Sequence, residues 1–190
     1  MHRIVRPTSL RQPWGDELLQ AHGWKSTFDL LSVFIADRQK PPNMWMEPII
    51  HRLLSLRPIQ QKSPPTPDLV IGEVCRLATL LFLASIWRSF GIHPVQTTRI
   101  RENLLDMLTG RLVERGQLHV LLLWALAHAT REAVEDSERE AFAIRLAMVM
   151  RKMSLSTWVD AYEKVRGVLW AEVYEESWET VELALKVVGI

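Results

Sequence analysis

The sequence predicts an all-α protein, an irregular bundle of about seven to eight helices. Three observations carry that expectation. Apolar residues recur at helical spacing along most of the chain, and no segment sustains the alternation of a half-buried strand. Proline and glycine fall between the periodic runs, where helices would stop. The stretch Gln117 to Thr130, QLHVLLLWALAHAT, is apolar on nearly every side of a helix, so no single face can be assigned to water. Such a helix has to be covered from several directions. It is also shorter than the roughly 18 apolar residues of a membrane span, and His119 and His128 lie inside its ends.

Taken in order, Met1 to Pro13 is polar, basic and broken by Pro7 and Pro13, a lead-in without a periodic pattern. A short helix is expected over Trp14 to His22, stopped by Gly23. A second runs from Ser26 or Thr27 to about Arg38, with Phe28, Leu31, Phe34 and Ile35 on one face. Pro41 and Pro42 end it. Met44 to Leu56 reads as a third helix, with Ile49, Ile50, Leu53 and Leu54 inward and Pro48 confined to its first turn. These residues form an N-terminal basic helical segment, 1–56. Residues 57–67, RPIQQKSPPTP, hold four prolines and read as a surface linker.

The main helical domain is then 68–190. Asp68 is a candidate N-cap for a helix to about Phe90, striped by Val70, Val74, Leu77, Leu81 and Ala84 and closed by Gly91 and Pro94. Thr97 or Thr98 opens a helix through Leu104, Leu105 and Leu108 towards Leu112. Beyond the central helix, Ser137 and Glu140 have capping-box spacing ahead of Phe142, Leu146, Val149, Met150 and Met153. Ser154 or Ser156 restarts the chain for a helix carrying Trp158, Ala161, Tyr162, Val165 and Leu169. A final helix, continuous with it through Gly167, places Trp178, Val181, Leu185 and Val188 inward. The expected core joins the helices at 69–90, 117–130, 138–153 and 156–170, with Trp124 and Trp158 substantially buried.

Composition narrows the function classes. Lys plus Arg (23) nearly balance Asp plus Glu (22), so net charge selects neither nucleic acid nor an anionic membrane. The balance hides a gradient, because residues 1–65 are basic by nine to five while 135–190 are acidic by eleven to seven. The single Cys75 excludes an internal disulfide and a cysteine metal cluster, in keeping with a reducing compartment. No secretion signal is recognisable, and a cytoplasmic or nuclear protein is expected.

Chemistry-bearing patterns are sparse. His128 and Glu132 share a helix face at four-residue spacing, half of what a zinc site or a general-base pair needs. His119 lies nine residues before His128, on the opposite face. Cys75, inside an apolar helix, reads as a small packed side chain rather than a reactive thiol. Glu135, Asp136, Glu138 and Glu140 cluster where acids favour a helix N-terminus, and there is no DDxxD, no glycine-rich phosphate loop and no GxSxG. Glu172, Glu175, Glu176, Glu179 and Glu182 surround Trp178 as the solvated face of a helix whose Trp points inward. Of Met148, Met150 and Met153, two fall on the core stripe as gap-fillers. No catalytic, cofactor-binding or metal-binding residue is assigned.

In two places the sequence resembles the fungal-specific transcription factor domain, the helical region that follows the two-zinc, six-cysteine cluster of many fungal regulators. Glu73-Val-Cys-Arg-Leu-Ala-Thr-Leu-Leu-Phe-Leu is similar to its E-x-x-R-L-A-x-L-x-x-L helix. Leu122-Leu-Trp-Ala-Leu, Ser137-Glu-Arg-Glu-Ala-Phe, Ser156-Thr-Trp, Val168-Leu-Trp and Ser177-Trp-Glu-Thr-Val follow its closing order of LLW, ERxxF, SW, LW and W-E. The resemblance covers residues 68–182 and implies the closing part of such a domain. The zinc cluster itself is absent, since one cysteine cannot supply six thiolates. The resemblance implies a non-enzymatic regulatory or interaction module in the nucleus, acting through a protein partner, self-association or a small effector. Direct nucleic acid binding and a membrane are not expected. The alternative is a small helical ligand-binding protein or enzyme with a pocket near His128 and Glu132.

Overall fold

A computed structural model describes residues 42–55, 67–89, 96–109, 119–168 and 178–190. Among the described residues there are seven helices and no strands: α1 (Pro42–Ser55), α2 (Pro67–Ser89), α3 (Thr98–Thr109), α4 (His119–Glu132), α5 (Asp136–Lys152), α6 (Trp158–Arg166) and α7 (Glu179–Val187). The fold is all-α, as the periodicity requires. The helices expected at Trp14–His22 and from Ser26 or Thr27 to Arg38 lie outside the described residues.

Helix α4 is the hub. It packs against α2, α5, α6 and α7, and every side chain from Leu122 to Thr130 is buried. A helix apolar around its circumference loses surface to water on all sides, and four neighbours remove that cost. Around it, α2 also contacts α1 and α3, and α5 contacts α7. The stretch Val70–Arg88 is long and apolar enough to cross a membrane, yet 83% of it is buried inside the fold, chiefly against α4.

Helix α1 belongs to the same core as the helices beyond the proline-rich stretch. Met46, Ile49 and Leu53 are buried with Ile71, Val74 and Cys75 of α2. Arg76 reaches back to donate to the Leu53 carbonyl at 3.3 Å while its Nε donates to Glu73 Oε2 at 2.7 Å. A buried arginine is tolerable here because a carboxylate one turn away neutralises it and a helix C-terminal carbonyl takes a further donor. Leu54, expected inward, is exposed, and Ile50 is half-buried. Pro48 sits in the second turn of α1 rather than its first, because the helix begins at Pro42.

Helix ends correct several expectations. Helix α2 opens on Pro67, a residue favoured at the first helical position, so Asp68 lies within the helix and not before it. Helix α5 begins at Asp136 with Glu135 in the cap position and no side-chain cap bond, so the Ser137–Glu140 box does not form. Arg139 fixes that turn instead, pairing with Asp136 at 2.6 Å and donating to the Ala133 carbonyl at 2.8 Å. Ser154 does not start the next helix either. Its φ of 57° places it in the left-handed region, where its N–H bonds Arg151 O and that of Leu155 bonds Met150 O, the two bonds of a Schellman closure of α5. Helix α6 is capped by Thr157, whose hydroxyl accepts from the Asp160 N–H while Asp160 accepts from the Thr157 N–H. It ends at Gly167 and Val168, so α6 and α7 are separate helices.

Candidate functional site

The two polar residues the sequence offers for chemistry, His128 and Glu132, both face α2, as their four-residue spacing dictates. Opposite them on α2 stand Phe82, Ser85 and Arg88, three residues apart along one stripe. One end of this contact is aromatic and the other is ionic.

At the aromatic end the His128 imidazole is fully buried. Its ring centroid lies 5.0 Å from Trp124, 5.3 Å from Phe82 and 5.3 Å from Trp178, all in edge-on arrangements. Trp178 sits at the start of α7, so the cage joins three helices. It continues outward through Trp158, 5.5 Å from Trp178, and Tyr162, 6.1 Å from Trp178. Trp124 is buried as expected, but Trp158 is only partly buried, on the outer side of Trp178. Burial pushes the His128 pKa well below its ordinary value, and the nearby Arg131 guanidinium adds to that depression. The neutral imidazole is enclosed by the Phe82, Trp124 and Trp178 rings.

At the ionic end, Glu132 accepts from three groups. Ser85 Oγ donates to Oε1, Arg131 Nη2 lies 3.3 Å from the same oxygen, and Arg88 pairs with Oε2. Arg131 also donates to Ser85, and its guanidinium lies over the Trp178 ring at 5.1 Å from the centroid. That contact ties the ionic end to the aromatic cage. A carboxylate whose oxygens are already engaged by two cations and a hydroxyl is poorly placed as a general base. Its evident work is to hold α2 against α4.

Trp124, Phe82, His128 and Thr130 have no exposed surface. Among the described residues no group of three or more His, Cys, Asp or Glu side chains gathers as a metal-binding set. His119 is partly buried at the first residue of α4, on the side away from His128. Cys75 is buried, and desolvation pushes its thiol up to about 12, which leaves it unreactive near neutrality. Of the acidic cluster, Glu138 pairs with Arg101 at 2.9 Å and Asp136 with Arg139, while Glu135 and Glu140 are exposed. Trp178 points inward and Glu179 outward; Glu172, Glu175 and Glu176 lie outside the described residues. Met150 is buried, Met153 half-buried and Met148 exposed, as the helical phase requires.

Ser85 and Arg88 were invisible as partners of Glu132, and Ser85 as a partner of Arg131. Nothing in an isolated sequence relates residues some 46 positions apart, although charges at the end of two apolar helices hint that each needs a neutraliser. The Arg101–Glu138 pair, with Thr97 accepting from Arg101 at 2.5 Å, was missed for the same reason. Compared with known protein families, curated proteins and solved structures, the chain matches none.

Proposed function

We propose that this chain is a non-enzymatic helical interaction module of the kind that closes the fungal transcription factor domain, working through contacts with protein partners. One observation carries the reading: among the described residues, the His–Glu pair that could support chemistry is spent inside the fold. His128 is a member of an aromatic cage and Glu132 is the centre of an ion-pair cluster, so what remains to face a partner is helix surface.

The residues behind the resemblance have structural employment consistent with it. Glu73 and Arg76 form the ion pair that docks α1. Trp124 and Phe142 are fully buried, and Trp158 and Trp178 stack across α6 and the start of α7. These 190 residues hold one cysteine and so no zinc cluster, and in this reading they contribute contacts with protein partners rather than with DNA.

The test is a transcription reporter in a fungal host, with the chain fused to an unrelated DNA-binding domain. The expected result is a reporter output changed severalfold relative to the DNA-binding domain alone, and unchanged by Glu132→Gln in cells where the variant accumulates normally. A reporter indifferent to the fusion at matched protein levels overturns the regulatory reading.

A further inference from the structure

The α5/α7 face carries an apolar groove with an acidic rim, and we propose that it binds a basic amphipathic helix of a partner protein. This inference rests on the reading of the chain as a protein-interaction module and names the surface and the partner class.

Among the described residues seven large apolar side chains are exposed, and four of them lie on these two helices. They are Ile144 and Met148 on α5, 44% and 43% exposed, and Leu183 and Val187 on α7, 59% and 77% exposed. Isolated exposed apolar residues are ordinary, but a group of them on adjoining helices is not. A shallow groove of about 360 Å³ runs between the helices, with Leu183 and Val187 on its α7 wall and Glu140 on its α5 wall. Ile144 and Met148 follow Glu140 at successive four-residue steps on the solvent side of α5, beyond the groove itself.

Charge selects the occupant. Glu135, Glu140 and Glu179 are exposed and make no ion pair among the described residues, and Glu182 is shared with Lys186 at 2.8 Å. Among the described residues lining the groove, Arg139 supplies the one guanidinium, and it is already engaged by Asp136 and the Ala133 carbonyl. The rim is therefore net negative around an apolar floor. A helix with leucine-like residues at i, i+3 or i+4 and i+7, flanked by lysine or arginine, satisfies both features at once. A second copy of this surface would set acid against acid.

The probe is a fluorescein-labelled synthetic helix of about 14 residues, four turns, built from Leu and Lys in amphipathic order, beside a counterpart with Glu in place of Lys. Anisotropy titrations with the full chain should show binding of the Lys peptide and not of the Glu peptide, weakening as salt is raised. Leu183→Asp and Glu140→Lys, both at exposed positions, should each weaken binding by about tenfold or more, while Leu54→Asp on α1 leaves it unchanged; circular dichroism checks that all three are folded. Equal binding of both peptides, or indifference to Leu183→Asp and Glu140→Lys, overturns the proposal. So does light scattering that shows a dimer abolished by Leu183→Asp, which would hand the face to a second copy. Binding seen only after Arg3, Arg6 and Arg11 are replaced by Glu would hand it to the chain's own basic N-terminus, and equally overturns it. A chain that moves the reporter but ignores the peptide loses the groove assignment alone, whereas one that binds the peptide and leaves the reporter silent loses the regulatory reading alone.

Discussion

Replacing His128 by Leu should remove a pH dependence of stability that the wild-type fold carries. The imidazole is fully buried and its pKa is held well below the ordinary 6.5, first by desolvation and then by Arg131. Below about pH 6.5 the unfolded chain therefore takes up a proton that the folded chain refuses. The unfolded state binds more protons in that interval, so stability rises with pH there. The His128 contribution is complete above about pH 6.5 and is lost as pH falls. For one such group the loss between about pH 7.5 and 5.5 is about 1.4 kcal/mol, a noticeable share of the roughly 5 to 15 kcal/mol of a typical domain. Ordinary carboxylates, near 4, remain charged throughout that window. Leucine is close to histidine in volume and cannot titrate, so at about pH 7.5 the variant should lie within about 1.5 kcal/mol of wild type. The assay is urea denaturation of both proteins across the window, reading the difference between their stabilities. Contributions common to both proteins largely cancel in that difference. Parallel stability curves would refute the reasoning, because they would mean that the cage admits the proton.

Three further outcomes follow from the packing. Trp124→Ala should cost about 3 to 5 kcal/mol and Trp158→Ala distinctly less, since only the first is fully enclosed; equal shifts in denaturation midpoint would contradict the cage geometry. Glu132→Gln should destabilise by about 2 to 3 kcal/mol, less than a wholly buried pair, because Arg88 keeps 35% of its side chain in water while Arg131 does not; a thermal scan indistinguishable from wild type would mean that the cluster is not holding α2 to α4. Thr157→Ala should cost about 1 kcal/mol through loss of the α6 cap, whereas Ser137→Ala should cost little, and the reverse order would restore the box at Ser137.

What could be read in advance was set by burial. Helices α2 and α4 declare themselves because an apolar circumference has no alternative to enclosure, and the phase of α5 places Phe142, Leu146 and Met150 inward with Met148 outward. The inward orientation of Trp178 was legible from its phase with Val181 and Leu185. Helix ends were less so, because several side chains compete for one set of free backbone groups. Helix α5 begins at Asp136, which puts Ser137 inside the first turn rather than ahead of it, and Ser154 occupies a left-handed turn that glycine usually takes. The proline-rich stretch suggested a boundary, yet α1 shares a core with α2 through Met46 and Leu53 and through the long reach of Arg76. The His128–Glu132 face was visible as a pair, while its partners on α2 and at Trp178 come from distant sequence and needed the fold.

The chain of rings from Phe82 to Tyr162 also makes this core a source of optical signal. Trp158 and Trp178 lie 5.5 Å apart with ring planes inclined by 33°. Indole transition dipoles held that close at a fixed oblique angle couple, and coupled dipoles give a pair of circular dichroism bands of opposite sign rather than a single absorption-shaped band. Because one indole opens α6 and the other precedes α7, the couplet reports the registration of two helices and not their helicity. Should α7 shift against α6, the couplet would collapse while the helical signal stayed, so the protein carries an intrinsic spectroscopic ruler where α6 meets the start of α7.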